Sequence, residues 1–104
     1  MNRSREELSL LLFFESRAVD YGGRVNTIHM NEQDMAIAAR WTNGGFIKFG
    51  RIRAADHNKD GTHWCLLSDG AMVEAQAERR ARASRMWSNR IYKTTAENRE
   101  AVQA

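Results

Sequence analysis

The segment from Gly44 to Gly70 constrains the fold more than any other part of this chain. It contains two runs rich in β-branched and aromatic residues, from Phe46 to Arg53 and from Thr62 to Leu67, and the polar stretch between them ends in an Asp-Gly pair. This pattern predicts a β-hairpin with a long tip. Ser68 follows the second run, and a serine there can accept a backbone hydrogen bond as the N-cap of a helix. The sequence therefore predicts a hairpin that leads directly into a helix.

A core helix is predicted ahead of the hairpin. Ser4 and Glu7 have the spacing of a capping box, and the residues that follow are so apolar that most faces of the helix would be buried. The pair Gly22-Gly23 is expected to end this helix, because glycine adopts the left-handed conformation of a helix C-cap without steric cost. Residues 24–30 are predicted to form a short strand that pairs with the hairpin, with one turn of helix as the alternative.

Two further helices complete the prediction. One runs from an N-cap at Asn31 to about Thr42 and ends at the turn 43–45. The other runs from about Gly70 to about Tyr92, and small or apolar residues recur along it at three- and four-residue steps. These residues are Val73, Ala77, Ala81, Ser84, Trp87 and Ile91. A single domain is therefore predicted over residues 1–93, with a polar and flexible tail over 94–104.

The composition limits the compartment and the class of protein. Cys65 is the only cysteine, so an internal disulfide is excluded and a reducing compartment is expected. No apolar run approaches the roughly 20 residues of a membrane span, and the first residues lack the apolar core of a signal peptide. We therefore expect a cytoplasmic protein that does not associate with a membrane.

Positive charge is concentrated in the second half of the chain. Residues 1–42 carry 5 arginines and 6 acidic residues, whereas residues 43–93 carry 10 basic and 5 acidic residues. The densest group is the arginine series between Arg79 and Arg90, which either contacts phosphates or forms a solvated helix face. If the partner is acidic, it is expected on the half that contains the hairpin.

No catalytic pattern is present, so the protein is predicted not to be an enzyme and to need no cofactor. Asp56, Asn58 and Asp60 have the alternate spacing of a calcium loop, but Leu67 stands where such a loop places its bidentate glutamate. Residues of these types also suit a tight turn. Zinc needs about four ligands, which one cysteine and scattered histidines do not supply. No metal site is predicted, and a metal-responsive tip is the weaker alternative.

The order of the predicted elements resembles the winged helix-turn-helix fold, in particular the small bacterial regulators of the MarR and PadR type. In those families a Leu-Thr or Leu-Ser pair, acidic residues and a glycine open a dimerisation helix, and Leu67-Ser68-Asp69-Gly70 stands at that place here. Gly45-Phe46-Ile47 is similar to the entry into the hairpin, which these families call the wing. The resemblance covers about residues 31–85. It implies an α+β fold with helices packed on a β-hairpin wing and a long C-terminal helix.

The same resemblance implies a DNA-binding protein, a transcriptional regulator of bacterial, phage or mobile-element type. The helix that begins at Asn31 would read double-stranded DNA, and the wing and the arginine-rich helix would contact its phosphates. The expected nucleic-acid-binding residues are Asn31, Gln33, Arg40, Thr42, Asn43, Lys48, Arg51, Arg53, His57, Asn58, Lys59, Arg79, Arg80 and Arg82. A homodimer is expected through the C-terminal helix, with help from the N-terminal one.

Two alternatives stay open. The protein could be an interaction adaptor or inhibitor with the same scaffold, because Glu32 and Asp34 would put negative charge beside DNA phosphates. The three tryptophans, Trp41, Trp64 and Trp87, are expected to be core or interface anchors, and base stacking is the alternative for Trp64 if its ring is exposed.

Overall fold

The fold is α+β and consists of three α-helices and a three-stranded antiparallel sheet. The computed structural model describes the backbone of residues 3–103 and the side chains of residues 3–88. Two single 3-10 turns, Thr27–His29 and Ala54–Asp56, interrupt the connections. The regular elements are α1 (Arg5–Asp20), β1 (Arg24–Val25), α2 (Glu32–Asn43), β2 (Ile47–Arg51), β3 (His63–Leu67) and α3 (Asp69–Gln103).

The first helix begins and ends where the sequence predicts. The Ser4 hydroxyl accepts from the Glu7 amide at 3.1 Å, and the Glu7 carboxylate accepts from the Ser4 amide at 3.1 Å, which completes a capping box. At the other end, Gly22 and Gly23 have φ angles of 62° and 86°. The Gly23 amide donates to the carbonyl of Arg17 at 2.8 Å, so the two glycines turn the chain and cap α1.

The sheet has β3 in the centre, with the strand order β1-β3-β2. The hairpin is as predicted, and Gly50 pairs with Trp64 in its ladder. The predicted third strand is present, but β1 has only two residues. The chain then forms the 3-10 turn, in which the Asn26 side chain accepts from the Ile28 amide at 3.2 Å. Residues 24–30 therefore contain both the predicted short strand and the alternative, a turn of helix.

All three helices bury side chains against one face of the sheet, which we call the inner face. Strand alternation directs Val25, Ile47 and Cys65 to this face, and all three are buried. The buried helix residues that belong to the same cluster are Leu10, Leu11, Phe14, Ile37, Ala38, Trp41, Ala71 and Ala75. The hydrophobic core therefore lies between the inner face and the helices, and no described element covers the other face of the sheet.

The third helix is longer than predicted. The Ser68 hydroxyl accepts from the Ala71 amide at 3.1 Å, so the predicted N-cap is confirmed. The helix runs to Gln103, and the predicted end near Tyr92 is wrong. The reason is that no glycine or proline occurs after Gly70, so nothing in the sequence stops the helix. Residues 94–103 continue this helix, and the predicted flexibility of the tail 94–104 stays a prediction.

Candidate nucleic-acid interface

The wing is defined here as residues 46–67, the hairpin and its tip. Beyond the β2–β3 ladder the Ile52 amide donates to the carbonyl of Thr62 at 2.9 Å, which continues the pairing. At the tip the Asn58 side-chain oxygen accepts from the amides of Asp60 and Gly61 at 2.9 and 3.2 Å. This arrangement is an Asx-type turn. The polar residues of the tip therefore serve the turn geometry.

Four cationic side chains of the wing are exposed, and two other predicted residues have structural contacts. The exposed cations are Lys48, Arg51, Arg53 and Lys59. Arg53 is bound to Asp56 at 3.2 Å, and 87% of its side chain is accessible. His57 is half-buried, with its Nε2 2.7 Å from the carbonyl of Ile52. His57 and Asn58 thus hold the tip backbone, while the lysines and arginines face solvent.

Arg17 of α1 anchors the tip of the wing. Its guanidinium donates to the carbonyl oxygens of Asp60 and, at 2.6 Å, of Arg24. It also lies over the ring of Tyr21, 3.7 Å from the centroid. The sequence analysis missed this role, because backbone carbonyls are acceptors whatever the residue type and leave no pattern in the sequence.

Two of the residues predicted on α2 form hydrogen bonds within their own helix. The Asn31 side chain accepts from the Asp34 amide at 2.8 Å as the N-cap. The Thr42 hydroxyl donates to the carbonyl of Ala38 at 2.8 Å. Asn31 is nevertheless exposed, and its amide nitrogen stays available to another partner.

The solvent-facing side of α2 has small residues at its centre. Ala36 and Ala39 are exposed there, between Glu32 at one end and Asn43 at the other. Small side chains let a flat or grooved partner approach the helix closely. A shallow cleft separates this helix from the wing and is lined by Met35, Ala39, Thr42, Asn43 and Phe49.

Helix α2 carries two acidic residues, Glu32 and Asp34, and one basic residue, Arg40. Gln33 is exposed and neutral, whereas Arg40 pairs with Glu7 of α1 at 3.1 Å and keeps 63% of its side chain accessible. An exposed pair of this kind is worth about 0–1 kcal/mol, so Arg40 can exchange Glu7 for a phosphate at low cost.

The predicted arginines of α3 fall into two groups. Arg79 donates hydrogen bonds to the carbonyl of Leu12, the carboxylate of Glu15 and the hydroxyl of Ser16, all on α1. Arg82 lies 3.8 Å from Glu78 and contacts the hydroxyl of Ser9. Both side chains therefore pack α3 on α1. The structure does not bring them to the wing.

Arg80, by contrast, is exposed on the side of α3 that points away from α1. We call this side the outer stripe, and its members share helical spacing and exposure. They are Val73, Ala77, Arg80, Ser84 and Trp87. Val73 and Trp87 are each 67% exposed, which leaves the stripe without a partner in the described part of the chain.

His63 lies where the wing meets the core. Its ring stacks on Phe49 with centroids 5.1 Å apart. Desolvation, with smaller contributions from Arg51 and His57, holds the pKa of His63 below its ordinary value. Near neutral pH His63 therefore adds little positive charge to the wing.

In the described part of the chain, the acidic and histidine side chains do not gather into a metal centre. Among the residues that the structure describes, no three His, Cys, Asp or Glu side chains come together as metal ligands would. Within the same residues, no helix has the length and apolar character needed to cross a membrane.

Trp64 and Leu66 lie outside the core, whereas Trp41, another of the tryptophans expected to be core or interface anchors, is buried in it. They alternate with the buried Cys65 and therefore point to the uncovered face of the sheet, where they are 37% and 58% exposed. The sequence shows the alternation, but it does not show which face of the sheet the helices cover.

The chain matches no protein-family model, and comparisons with curated proteins and with solved structures found no similar protein.

Proposed function

We propose that this protein binds double-stranded DNA as a winged helix-turn-helix protein and acts as a transcriptional regulator. The order of elements supports this proposal, because a helix, a short strand, a helical turn, a second helix and a hairpin follow one another as in that fold. The central position of β3 between β1 and β2 is also compatible with it. In this reading the 3-10 turn Thr27–His29 is an abbreviated first helix of the helix-turn-helix motif.

The observation that carries the proposal is the pairing of an exposed helix with an exposed basic wing. The solvent-facing side of α2, with Gln33, Ala36 and Asn43, would lie against base edges in the major groove. Arg51 and Arg53 would contact the phosphate backbone from the wing. Since Arg79 and Arg82 are engaged with α1, they are left out of the proposed interface.

We also propose a homodimer formed through the outer stripe of α3. Val73 and Trp87 expose large apolar side chains, and the small residues Ala77 and Ser84 between them would let a second helix approach. Two copies would present two copies of α2 to a two-fold symmetric site. Light scattering on the wild type and on Trp87→Ala tests this, with a loss of the dimer expected in the variant.

The experiment for DNA binding is fluorescence anisotropy with duplex DNA over a salt series. Each neutralised phosphate adds roughly −0.9 to the slope of log affinity against log salt. Arg51→Glu with Arg53→Glu should weaken binding strongly, because two contacts become repulsive. Arg5→Glu, an exposed charge reversal on α1, is the control for each single wing reversal and should bind nearly as the wild type does. Equal binding by the wing variant and the control would contradict the proposed interface.

The alternative function is a protein-interaction adaptor or inhibitor. The charge of α2 favours it, because Glu32 is exposed beside the proposed groove contact and Arg40 is already paired with Glu7. An adaptor would not bind duplex DNA even at low salt. It would retain a protein partner in a pull-down that uses the wing variant as bait.

A further inference from the structure

The face of the sheet opposite the helices, which we call the outer face, carries exposed aromatic and aliphatic groups. It is formed by Arg24, Lys48, Gly50, Trp64 and Leu66, which alternate with the buried residues of the same strands. Arg24, Trp64 and Gly50 stand in one row across the three strands, and Leu66 and Lys48 stand in the next. The two rows together make a small platform.

Gly50 creates the space in which the indole of Trp64 lies. A Cβ atom at this position would be 2.6 Å from the Cζ2 atom of Trp64 and 2.9 Å from its Nε1 atom, so any side chain would displace the ring. The indole therefore lies over the backbone of β2, and 37% of Trp64 remains exposed. An aromatic ring held in this way on a sheet surface is a stacking platform for a nucleobase.

The charges of the platform are all positive. The sequences of the three strands contain no acidic residue. Lys48 is exposed next to Leu66 and makes no ion pair with a described residue. Arg24 uses one guanidinium nitrogen to contact the carbonyl of Asp56 at 3.0 Å, and its other nitrogens can still donate. Lys48 and Arg24 thus flank the indole with two cations.

The size of the platform limits what can occupy it. A folded protein partner buries about 800 Å² on its side of a standard interface, whereas this platform consists of five residues in two rows. A few nucleotides of single strand need much less, since they require one aromatic surface and cations for the neighbouring phosphates. A duplex fits poorly, because its bases are already stacked on one another.

We propose that the outer face binds single-stranded nucleic acid, with a base stacked on Trp64 and the adjacent phosphates held by Lys48 and Arg24. This site uses residues other than the duplex contacts proposed for α2, Arg51 and Arg53, so it does not depend on the duplex binding proposed above. It gives the protein a second nucleic-acid contact that would engage a locally opened strand.

The test measures the affinity of the full chain for a labelled ten-nucleotide oligothymidylate by fluorescence anisotropy. Trp64→Ala should lower the affinity about tenfold or more, because a single stacked base contributes that much. Trp64→Phe should retain part of the affinity, and Gly50→Val should lower it by displacing the indole. Val19→Ala removes an exposed apolar side chain of α1, outside every interface proposed above, and should leave the affinity unchanged. Circular dichroism confirms that each variant is folded.

Three outcomes would overturn the proposal. The first is equal affinity of folded Trp64→Ala and wild type for the oligonucleotide. The second is no binding of the oligonucleotide at low salt, which would favour a peptide partner for this face. The third is a parallel loss of duplex and single-strand binding in Trp64→Ala, which would indicate one site rather than two. A different result would support two independent sites. In that case Arg51→Glu with Arg53→Glu loses duplex binding, while its binding of the oligonucleotide still depends on Trp64.

Discussion

Arg79 of α3 holds the carboxylate of Glu15 on α1, and this contact joins the two longest helices of the protein. The Glu15 side chain is only 10% accessible, and the pair is 2.5 Å apart. The same guanidinium donates to the carbonyl of Leu12 at 3.2 Å and to the hydroxyl of Ser16 at 2.9 Å. One arginine thereby compensates a nearly buried charge and fixes the place where α3 crosses α1.

Loss of Arg79 should therefore destabilise the fold. Arg79→Ala leaves Glu15 without its partner in a poorly hydrated site, and we expect a loss of about 2 kcal/mol in the free energy of unfolding. Arg80→Ala is the matched control. Arg80 is the exposed neighbour of Arg79, and its loss should change the free energy of unfolding by less than about 0.5 kcal/mol. Urea denaturation of both variants measures the difference. Equal stability of the two would show that the Glu15 contact contributes nothing.

Gly61 stands against the backbone of β1, where no side chain fits. A Cβ atom there would be 2.5 Å from the carbonyl oxygen of Val25 and 2.6 Å from its nitrogen. We expect Gly61→Ala to cost about 2 kcal/mol, because the wing would have to move away from β1.

Gly70 provides the comparison for this substitution. The nearest atom to a Cβ at Gly70 is the Ser68 hydroxyl oxygen at 3.9 Å, and the residue lies in the first turn of α3. Gly70→Ala should therefore be neutral or slightly stabilising, by up to about 1 kcal/mol. Thermal melts of the two alanine variants test the pair. A destabilised Gly70→Ala variant, together with a Gly61→Ala variant as stable as the wild type, would contradict this account.

His63 should make stability fall at acidic pH. Its pKa is lowered in the fold from 6.5, mainly by desolvation, so the unfolded chain binds this proton more readily than the folded chain does. Stability from this residue is complete above pH 6.5 and is lost as the pH falls from 6.5 towards the lower pKa of the folded state. His63→Phe keeps an aromatic ring beside Phe49 but cannot titrate. Urea midpoints at several pH values should show a shallower acidic decline in the variant; identical profiles would exclude this role.

Cys65 should be chemically silent in the native protein. Only 1% of the residue is exposed, and desolvation raises the pKa of its thiol to about 11. Since the thiolate is the nucleophile, alkylation by iodoacetamide near pH 8 should be at least about 100-fold slower in the folded protein than in guanidinium chloride. Mass spectrometry after timed quenching measures both rates. Equal rates would mean that the inner face of the sheet opens readily.

Local signals in the sequence predicted much of the fold. Capping residues such as Ser4, Asn31 and Ser68 act within three residues of their own position, so their hydrogen bonds can be read from the sequence alone. The hairpin was predicted for the same reason, because its two strands are neighbours in the chain. The end of α3 was missed because a stop signal was inferred from polarity rather than from glycine or proline.

The candidate site was less predictable, because its geometry depends on contacts between distant segments. The arginines of α3 look alike in the sequence, and only the position of α1 separates Arg79 from Arg80. Likewise, the exposure of Trp64 depends on which face of the sheet the helices cover. Such information lies in the packing of whole elements and has no local signature.

The contact between Arg17 and the tip of the wing also bears on the speed and cost of binding. A free hairpin tip would lose conformational entropy when it settles on a ligand, at roughly 1–2 kcal/mol for each backbone residue that becomes ordered. Here the Arg17 guanidinium, near the end of α1, already joins the carbonyl of Asp60 at the tip to the carbonyl of Arg24 in β1. The wing is therefore preorganised, and its arginines reach a partner as a fixed template rather than as a loop that must search for its bound shape.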